Sequence, residues 1–156
     1  MYQHEYKTIV EWTGNTGKGT LNYKAYSRDH QIFAPNKYTS INATADPHYL
    51  GSNEKYNPEE LFLSSISSCH MLWYLHLCAV NHVNVVSYKD YATGVMTVVE
   101  KGSGKFTEVV LHPDIKVQKL DMVQKAIALH GEANKMCFIA NSCNFEIDHR
   151  PTVEVI

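Results

Sequence analysis

The chain carries four cysteines and nine histidines, yet it contains no C-x-x-C pair and no H-x-x-x-H. The first absence removes a thioredoxin-type dithiol and a zinc ribbon; the second removes the usual pair of metal ligands on one helical turn. Cys69 and His76 share a helical face, but seven residues of helix place them ~10.5 Å apart in rise, too far for one ion. No metal site and no cofactor are expected. Basic charge is also scarce: the formal net charge is -2, the lysines are scattered, and Arg28 and Arg150 are the only arginines. A nucleic-acid partner would need a clustered basic excess. No stretch approaches the ~18 uninterrupted apolar residues of a membrane span. Residues 1–12 lack the basic-then-apolar layout of a signal peptide. These absences predict a cytoplasmic protein, whose disulfides would be transient and catalytic rather than structural.

What is present fits one globular α+β domain over residues 1–156, with 44% hydrophobic and 19% charged residues. The first 50 residues read as β-rich: a strand over 6–12, a turn over 13–17, an alternating strand over 19–26, and a loop over 35–51. Asn57-Pro58-Glu59-Glu60 then supplies an N-cap, a proline at the first helical position and a capping-box glutamate. From Leu61 to about Val80 neither glycine nor proline intervenes, and apolar residues occur almost all round. That pattern predicts a long helix buried on every side. Strand-like runs follow over 83–100 and 106–117, joined by a hairpin turn at Lys101–Lys105. A second helix is expected from an Asp121 cap, with Met122, Ala126, Leu129, Ala133 and Met136 as its buried stripe. Short strands over 144–148 and 152–156 close the chain.

The chemistry concentrates on thiols. Cys69 lies mid-helix within Ser64-Ser65-Ile66-Ser67-Ser68-Cys69-His70, where four serines are neither strong helix formers nor core fillers. Small side chains at that spacing allow close approach of another backbone, and their hydroxyls can bond back to the preceding turn. An inert cysteine at a tight helix crossing is the plain alternative. His70 points ~100° away from Cys69, so it does not form an obvious Cys-His pair and fits a core histidine equally well. Cys78 falls on the opposite face from Cys69 and reads as a small core residue. Cys137 continues the second helix's stripe, so two helices can bring two thiols together. Such a pair suits a peroxidatic thiolate, oxidised to a sulfenic acid, and a resolving thiol that condenses with it. A mid-helix thiolate gains little from the helix dipole and needs a cation nearby; Arg28, Lys18 and Arg150 are the candidates.

The Asn57-Pro58-Glu59-Glu60-Leu61-Phe62 segment, the small residues before Cys69, and the second cysteine at 137 with Ser142 shortly after resemble the OsmC/Ohr family of osmotically inducible and organic hydroperoxide resistance proteins. The resemblance covers nearly the whole chain. It implies antiparallel sheets around a long central helix, an intertwined homodimer, and a dithiol-dependent peroxidase of oxidative stress defence. On that resemblance Cys69 falls at the peroxidatic position, Cys137 at the resolving one, and Glu59 at the glutamate that orients a catalytic arginine. Glu59 and Cys69 lie ~15 Å apart along one helix, so both serve one site only if one comes from a partner subunit. Three features depart from the family pattern. Cys137-Phe138-Ile139-Ala140-Asn141-Ser142 replaces a Cys-Pro-Val-Ser motif, His70 follows Cys69, and the hairpin arginine has no direct counterpart, with Lys18 near its place and Arg28 further on. Apolar residues near Cys69, among them Phe62, Ile66, Leu72 and Trp73, would favour an organic hydroperoxide. The alternative is a ligand-binding or redox-sensing dimer of the same fold with little turnover.

Overall fold

A computed structural model describes residues 2–99 and 102–156. The chain divides into two compact units, residues 1–61 and 62–156. In the first, strands β1 (Ile9–Trp12), β2 (His30–Phe33) and β3 (Ile41–Ala43) form an antiparallel sheet with Ile9 opposite Phe33 and His30 opposite Ala43. The alternating segment 19–26 is not a strand. Asn15 Oδ1 accepts the N–H groups of Gly17 and Gly19 at 2.9 and 3.0 Å, and Asn22 Oδ1 accepts that of Lys24 at 3.0 Å. These side-chain caps, with positive φ at both glycines, override the alternation. The loop over 13–29 closes where Ser27 N–H donates to Gly14 O at 2.9 Å and Trp12 Nε1 donates to Ser27 O at 2.8 Å. A Cβ on Gly14 would lie 2.0 Å from that carbonyl oxygen, so only glycine allows the closure. The expected loop over 35–51 also contains β3 and a short 3₁₀ turn at Pro47–Tyr49.

Helix α1 (Pro58–Val80) begins as the sequence predicts. Glu60 N–H donates to Asn57 Oδ1 at 2.8 Å, and Asn57 N–H donates to Glu60 Oε2 at 3.1 Å, a reciprocal capping box. Within residues 62–156 two three-stranded sheets follow. One has the order β4 (Val85–Asp90), β7 (Pro113–Val117), β9 (Thr152–Val155); the other has β5 (Thr93–Val98), β6 (Gly104–Leu111), β8 (Ile147–His149). The run over 83–100 is therefore two strands in different sheets. The expected hairpin survives as antiparallel β5–β6, with Val98 opposite Gly104; Glu100 and Lys101 of its turn lie outside the described residues. The C-terminal strands pair parallel, β8 on β6 and β9 on β7, so the sheets are mixed rather than purely antiparallel. Pro113 occupies the first position of β7, where a missing N–H costs least. The corner before it is held by Asp90, whose Oδ1 accepts His112 N–H at 2.7 Å.

Helix α2 (Val123–Met136) follows a 3₁₀ turn at Leu120–Met122. Asp121 lies inside that turn and makes no side-chain cap, so the expected capping residue is not one. The buried stripe is Ala126, Leu129, His130 and Ala133; Met136 is exposed, and Cys137 is the buried residue that ends the helix.

The larger departure concerns α1. Its fully buried residues are Ile66, His70, Tyr74 and Cys78, a single row at four-residue spacing. Ile66 packs with Val109, Leu111 and Ile147, whereas Tyr74 and Cys78 pack with Ile115, Val117, Ala126 and Leu129. Opposite that row, Ser64, Ser68, Leu72, His76 and Val80 are exposed. The helix expected to be buried on all sides is covered along one stripe by its own chain, because the two sheets and α2 approach it from one side.

Replacing Asn57 by Ala removes one capping acceptor and leaves Glu60 N–H without its partner. The substitution is expected to lower stability by about 1 kcal/mol, read as a shift in the urea midpoint at unchanged slope.

Candidate functional site

Cys69 and Cys137 meet. Cys69 lies on α1, half-buried beside the covered row, and Cys137 is fully buried at the C-terminus of α2, with its thiol next to the Cys69 thiol. Burial pushes the Cys137 thiol up to about 11, and the adjacent Cys69 adds to the effect. The chain after α2 folds back over this sulfur: Ala140 N–H donates to Cys137 Sγ at 3.3 Å, and Asn141 N–H donates to Cys137 O at 3.0 Å. At neutral pH Cys137 is therefore held as a thiol. All four cysteines are free. Cys143 is turned the other way, its thiol donating to Ile139 O at 3.3 Å, and Cys78 is buried with its thiol pushed up by burial.

Cys69 opens on a groove of about 400 Å³ lined by Cys69, Leu72, Trp73, His76 and Phe138. Trp73 stands edge-on to Phe138, centroids 5.6 Å apart, and edge-on to His76 at 5.8 Å. Leu72 and Trp73 were expected here. Phe62 and Ile66 were expected too, but they belong to a different cluster: Phe62 packs on Phe106 with centroids 5.0 Å apart, and Ile66 lies in the covered row of α1. Phe138 escaped the reading because it follows the end of α2, where helical periodicity no longer says which way a side chain points.

Three of the four serines before Cys69 have partners. Ser65 and Ser68 hydroxyls donate one turn back, to Phe62 O at 2.6 Å and Ser65 O at 3.2 Å, and Ser67 Oγ donates to Asp90 Oδ2 at 2.5 Å. Asp90 thus ties α1, two residues from Cys69, to the same corner it caps at His112.

Of the other predicted site residues, Arg150 donates from Nε to Asp148 Oδ2 at 3.0 Å, and Arg28, Lys18 and Glu59 lie within residues 1–61. Arg28 is held in its own loop: Nη1 donates to Tyr26 O at 2.6 Å and Nη2 to Tyr23 O at 2.7 Å, with the guanidinium 4.1 and 4.4 Å from the two tyrosine ring centres. Lys18 is exposed in the Gly17–Gly19 turn. Glu59, in the first turn of α1, has a buried Oε2 with no hydrogen-bond partner among the described residues.

A cluster that the sequence did not reveal lies beside the thiols. His70, His130 and His149 come from α1, α2 and β8, and their ring centres are 5.2 to 6.0 Å apart. His70 Nε2 and His130 Nδ1 are 2.9 Å apart. The 5.2 Å separation of these two ring centres equals that gap plus the two ring radii. The rings therefore meet end to end in a hydrogen bond rather than stacking face to face. Burial lowers His70 to about 4, with His149 adding to it, and His130 to about 3, with His70 and His149 adding. Among the described residues no group of three or more His, Cys, Asp or Glu is arranged to hold a metal ion.

A profile of the OsmC-like protein family matches residues 51–151, and the chain belongs to that family. An OsmC-like protein of unknown function from Vibrio cholerae is 31% identical, with a TM-score of 0.86 over 96% of this chain and 100% of that one. An organic hydroperoxide resistance protein from Legionella pneumophila is 19% identical, with a TM-score of 0.68 over 98% of this chain and 100% of that one. One from Elizabethkingia anophelis, crystallised with thiocyanate, is 19% identical at a TM-score of 0.67 over 99% and 100%. The last two likenesses establish the fold. Comparison with curated proteins gives no match. No helix among the described residues is long and apolar enough to cross a membrane.

The depressed imidazoles make stability depend on pH. Above pH 6.5 His70 and His130 are neutral in both the folded and unfolded states. As pH falls, the unfolded chain takes up protons that the folded chain refuses until about 4 and 3. Stability is therefore expected to drop by about 1.4 kcal/mol per pH unit for each ring between pH 6.5 and 4. Urea midpoints at pH 7.5, 5.5 and 4.5 measure it, and His130→Phe should flatten the curve.

Proposed function

We propose that the protein is a cysteine-based peroxidase that reduces organic hydroperoxides in oxidative stress defence, with Cys69 as the peroxidatic and Cys137 as the resolving cysteine. The observation that carries this reading is the meeting of the two thiols where one opens on an apolar groove and the other is sealed. The Cys69 sulfur attacks the terminal oxygen of the hydroperoxide. The O–O bond breaks, the alcohol leaves with a proton, and Cys69 becomes a sulfenic acid. The Cys137 thiol then attacks that sulfur, water departs, and the Cys69–Cys137 disulfide remains for a dithiol reductant to reopen. Leu72, Trp73 and Phe138 favour an alkyl or aryl group on the substrate over hydrogen peroxide.

In this reading Arg28 holds the Cys69 thiolate and polarises the peroxide, and the unpartnered Glu59 Oε2 accepts from that guanidinium. Two of the five arginine N–H donors are engaged by Tyr23 and Tyr26, which leaves three for this task. A second copy of the chain supplies the missing half of the site. The open face of α1 supports this part of the proposal. Leu72 and Val80 remain 64% and 57% exposed, Phe138 remains 68% exposed beside them, and serines at 64 and 68 allow a second backbone to come close. The reducing cytoplasm is where such a cycle would turn over.

In an assay with tert-butyl hydroperoxide and a dithiol, Cys69→Ser is expected to abolish turnover. Cys137→Ser should keep the first oxidation and leave Cys69 as a sulfenic acid that dimedone captures. A protein with apolar-ligand affinity but no Cys69-dependent turnover would be a binding or sensing member of the fold instead. Light scattering on the eluting protein should give twice the chain mass of 17.7 kDa; a monomer would remove the partner-supplied half of the site.

A further inference from the structure

We propose that the His70–His130 hydrogen bond is a registry lock between the two helices that bear the thiols, and that it sets how readily the Cys69–Cys137 disulfide closes. The inference rests on Cys69 and Cys137 being the reacting pair, but not on hydroperoxide being the oxidant.

Three observations carry it. His70 is the residue after Cys69 on α1, and His130 lies seven residues before Cys137 on α2, almost on the same face and ~10.5 Å along the axis. Each helix thus contributes one imidazole and one thiol, and the two pairs form two fixed points between the same elements. Second, apart from the approach of the two thiols themselves, this is the only side-chain hydrogen bond between α1 and α2 among the described residues; the surrounding contacts of Tyr74, Cys78, Ala126, Leu129 and Ala133 are apolar. Apolar contacts tolerate sliding, whereas an end-to-end bond between two rings 1% and 0% exposed does not. Third, His130 is braced from the side by Tyr74, whose ring lies parallel to it at 3.9 Å, so the bond cannot be kept by swinging the ring.

A disulfide requires a Cβ–Cβ separation near 3.8 Å and a restricted dihedral angle. A slip of the helices of even part of an ångström moves the Cys137 sulfur off that path. Closure itself is balanced: two thiols lose two protons and two electrons to oxidised glutathione, which becomes two reduced glutathione molecules. His70 and His130 are positioning residues in this step, since neither exchanges a proton with the sulfurs.

The test is a redox titration of the intact protein against glutathione in a Cys143→Ser background, with the Cys69–Cys137 bond mapped by mass spectrometry. His130→Phe keeps the ring against Tyr74 and removes both nitrogens. Losing one buried hydrogen bond is expected to lower the equilibrium constant for closure about tenfold, equivalent to about 30 mV. His130→Asn places an amide where Nδ1 was and should recover most of the loss. Iodoacetamide labelling of Cys69 should be the same in all three proteins. An unchanged constant in folded His130→Phe overturns the proposal. So does an equal loss in the Phe and Asn variants, which would make ring shape rather than the bond responsible. Stoichiometric zinc retained by the unmodified protein and lost on His130→Phe would also overturn it, by making the cluster a metal centre. If His130→Phe does not fold, His70→Leu removes the same bond from the other helix. Closure without any hydroperoxide turnover would sink the peroxidase reading and leave this one standing; no closure in the unmodified protein would sink both this proposal and the resolving role of Cys137.

Discussion

Everything in residues 62–156 is arranged around one row of side chains on α1. Ile66, His70, Tyr74 and Cys78 follow each other at intervals of four. Four residues turn a helix through about 400°, so the row drifts by about 40° at each step and spirals slowly across the surface. The drift lets one straight helix serve two separate packing partners. Its N-terminal part meets the β6–β8 cluster through Ile66, and its C-terminal part meets β7 and α2 through Tyr74 and Cys78. His70 falls between them, where residues from α2 and β8 both reach it. A polar residue at that seam is tolerated because His130 gives it a partner; an aliphatic one would have had to fit two clusters with different directions of approach.

The thiols lie at the edge of this row rather than in it. Cys69 is one residue before the seam and so faces about 100° away from His70, towards the border between the covered side of α1 and its open side. That border position explains why one sulfur can be both next to the sealed Cys137 and open to the Leu72–Trp73–Phe138 groove. A cysteine on the row would have been inert like Cys78, and one on the open side would have had no second thiol. The serine-rich turn before Cys69 also has a local logic. The hydroxyls of Ser65 and Ser68 bond to the helix itself and that of Ser67 to Asp90, while Ser64 faces outward on the open side.

Much of this was legible in residues alone. The capping box at Asn57–Glu60 is a local device, written in four consecutive positions, and it appears as read. The nearness of Cys69 and Cys137 could be anticipated because both thiols sit on helical elements that one core can bring together. The alternation over 19–26 misled because side-chain amides of Asn15 and Asn22 compete for the backbone, a contest that a pattern of apolar residues does not record. The strand-like run over 83–100 concealed a change of sheet at Tyr91–Ala92, since both strands need the same kind of residue. The histidine cluster could not be read at all: its members are 60 and 19 residues apart in sequence, and only the folded chain brings α1, α2 and β8 to one point. The roundly apolar α1 was read as interior, yet the chain covers one stripe of it, because a sequence records that a surface avoids water and not which molecule hides it.

The parallel pairing of the last two strands has a consequence for how the protein is made. Both sheets of residues 62–156 start as antiparallel pairs that a ribosome releases early, but each receives its third strand only from residues 147–155. Val109 waits for Ile147, and Ile115 for Val153. Until then the outer edges of β6 and β7 are unpaired templates that could recruit foreign strands. Such distant partners also make folding slow relative to that of a helical bundle of this size. Residues 147–155 therefore act as the closing stitch of both sheets.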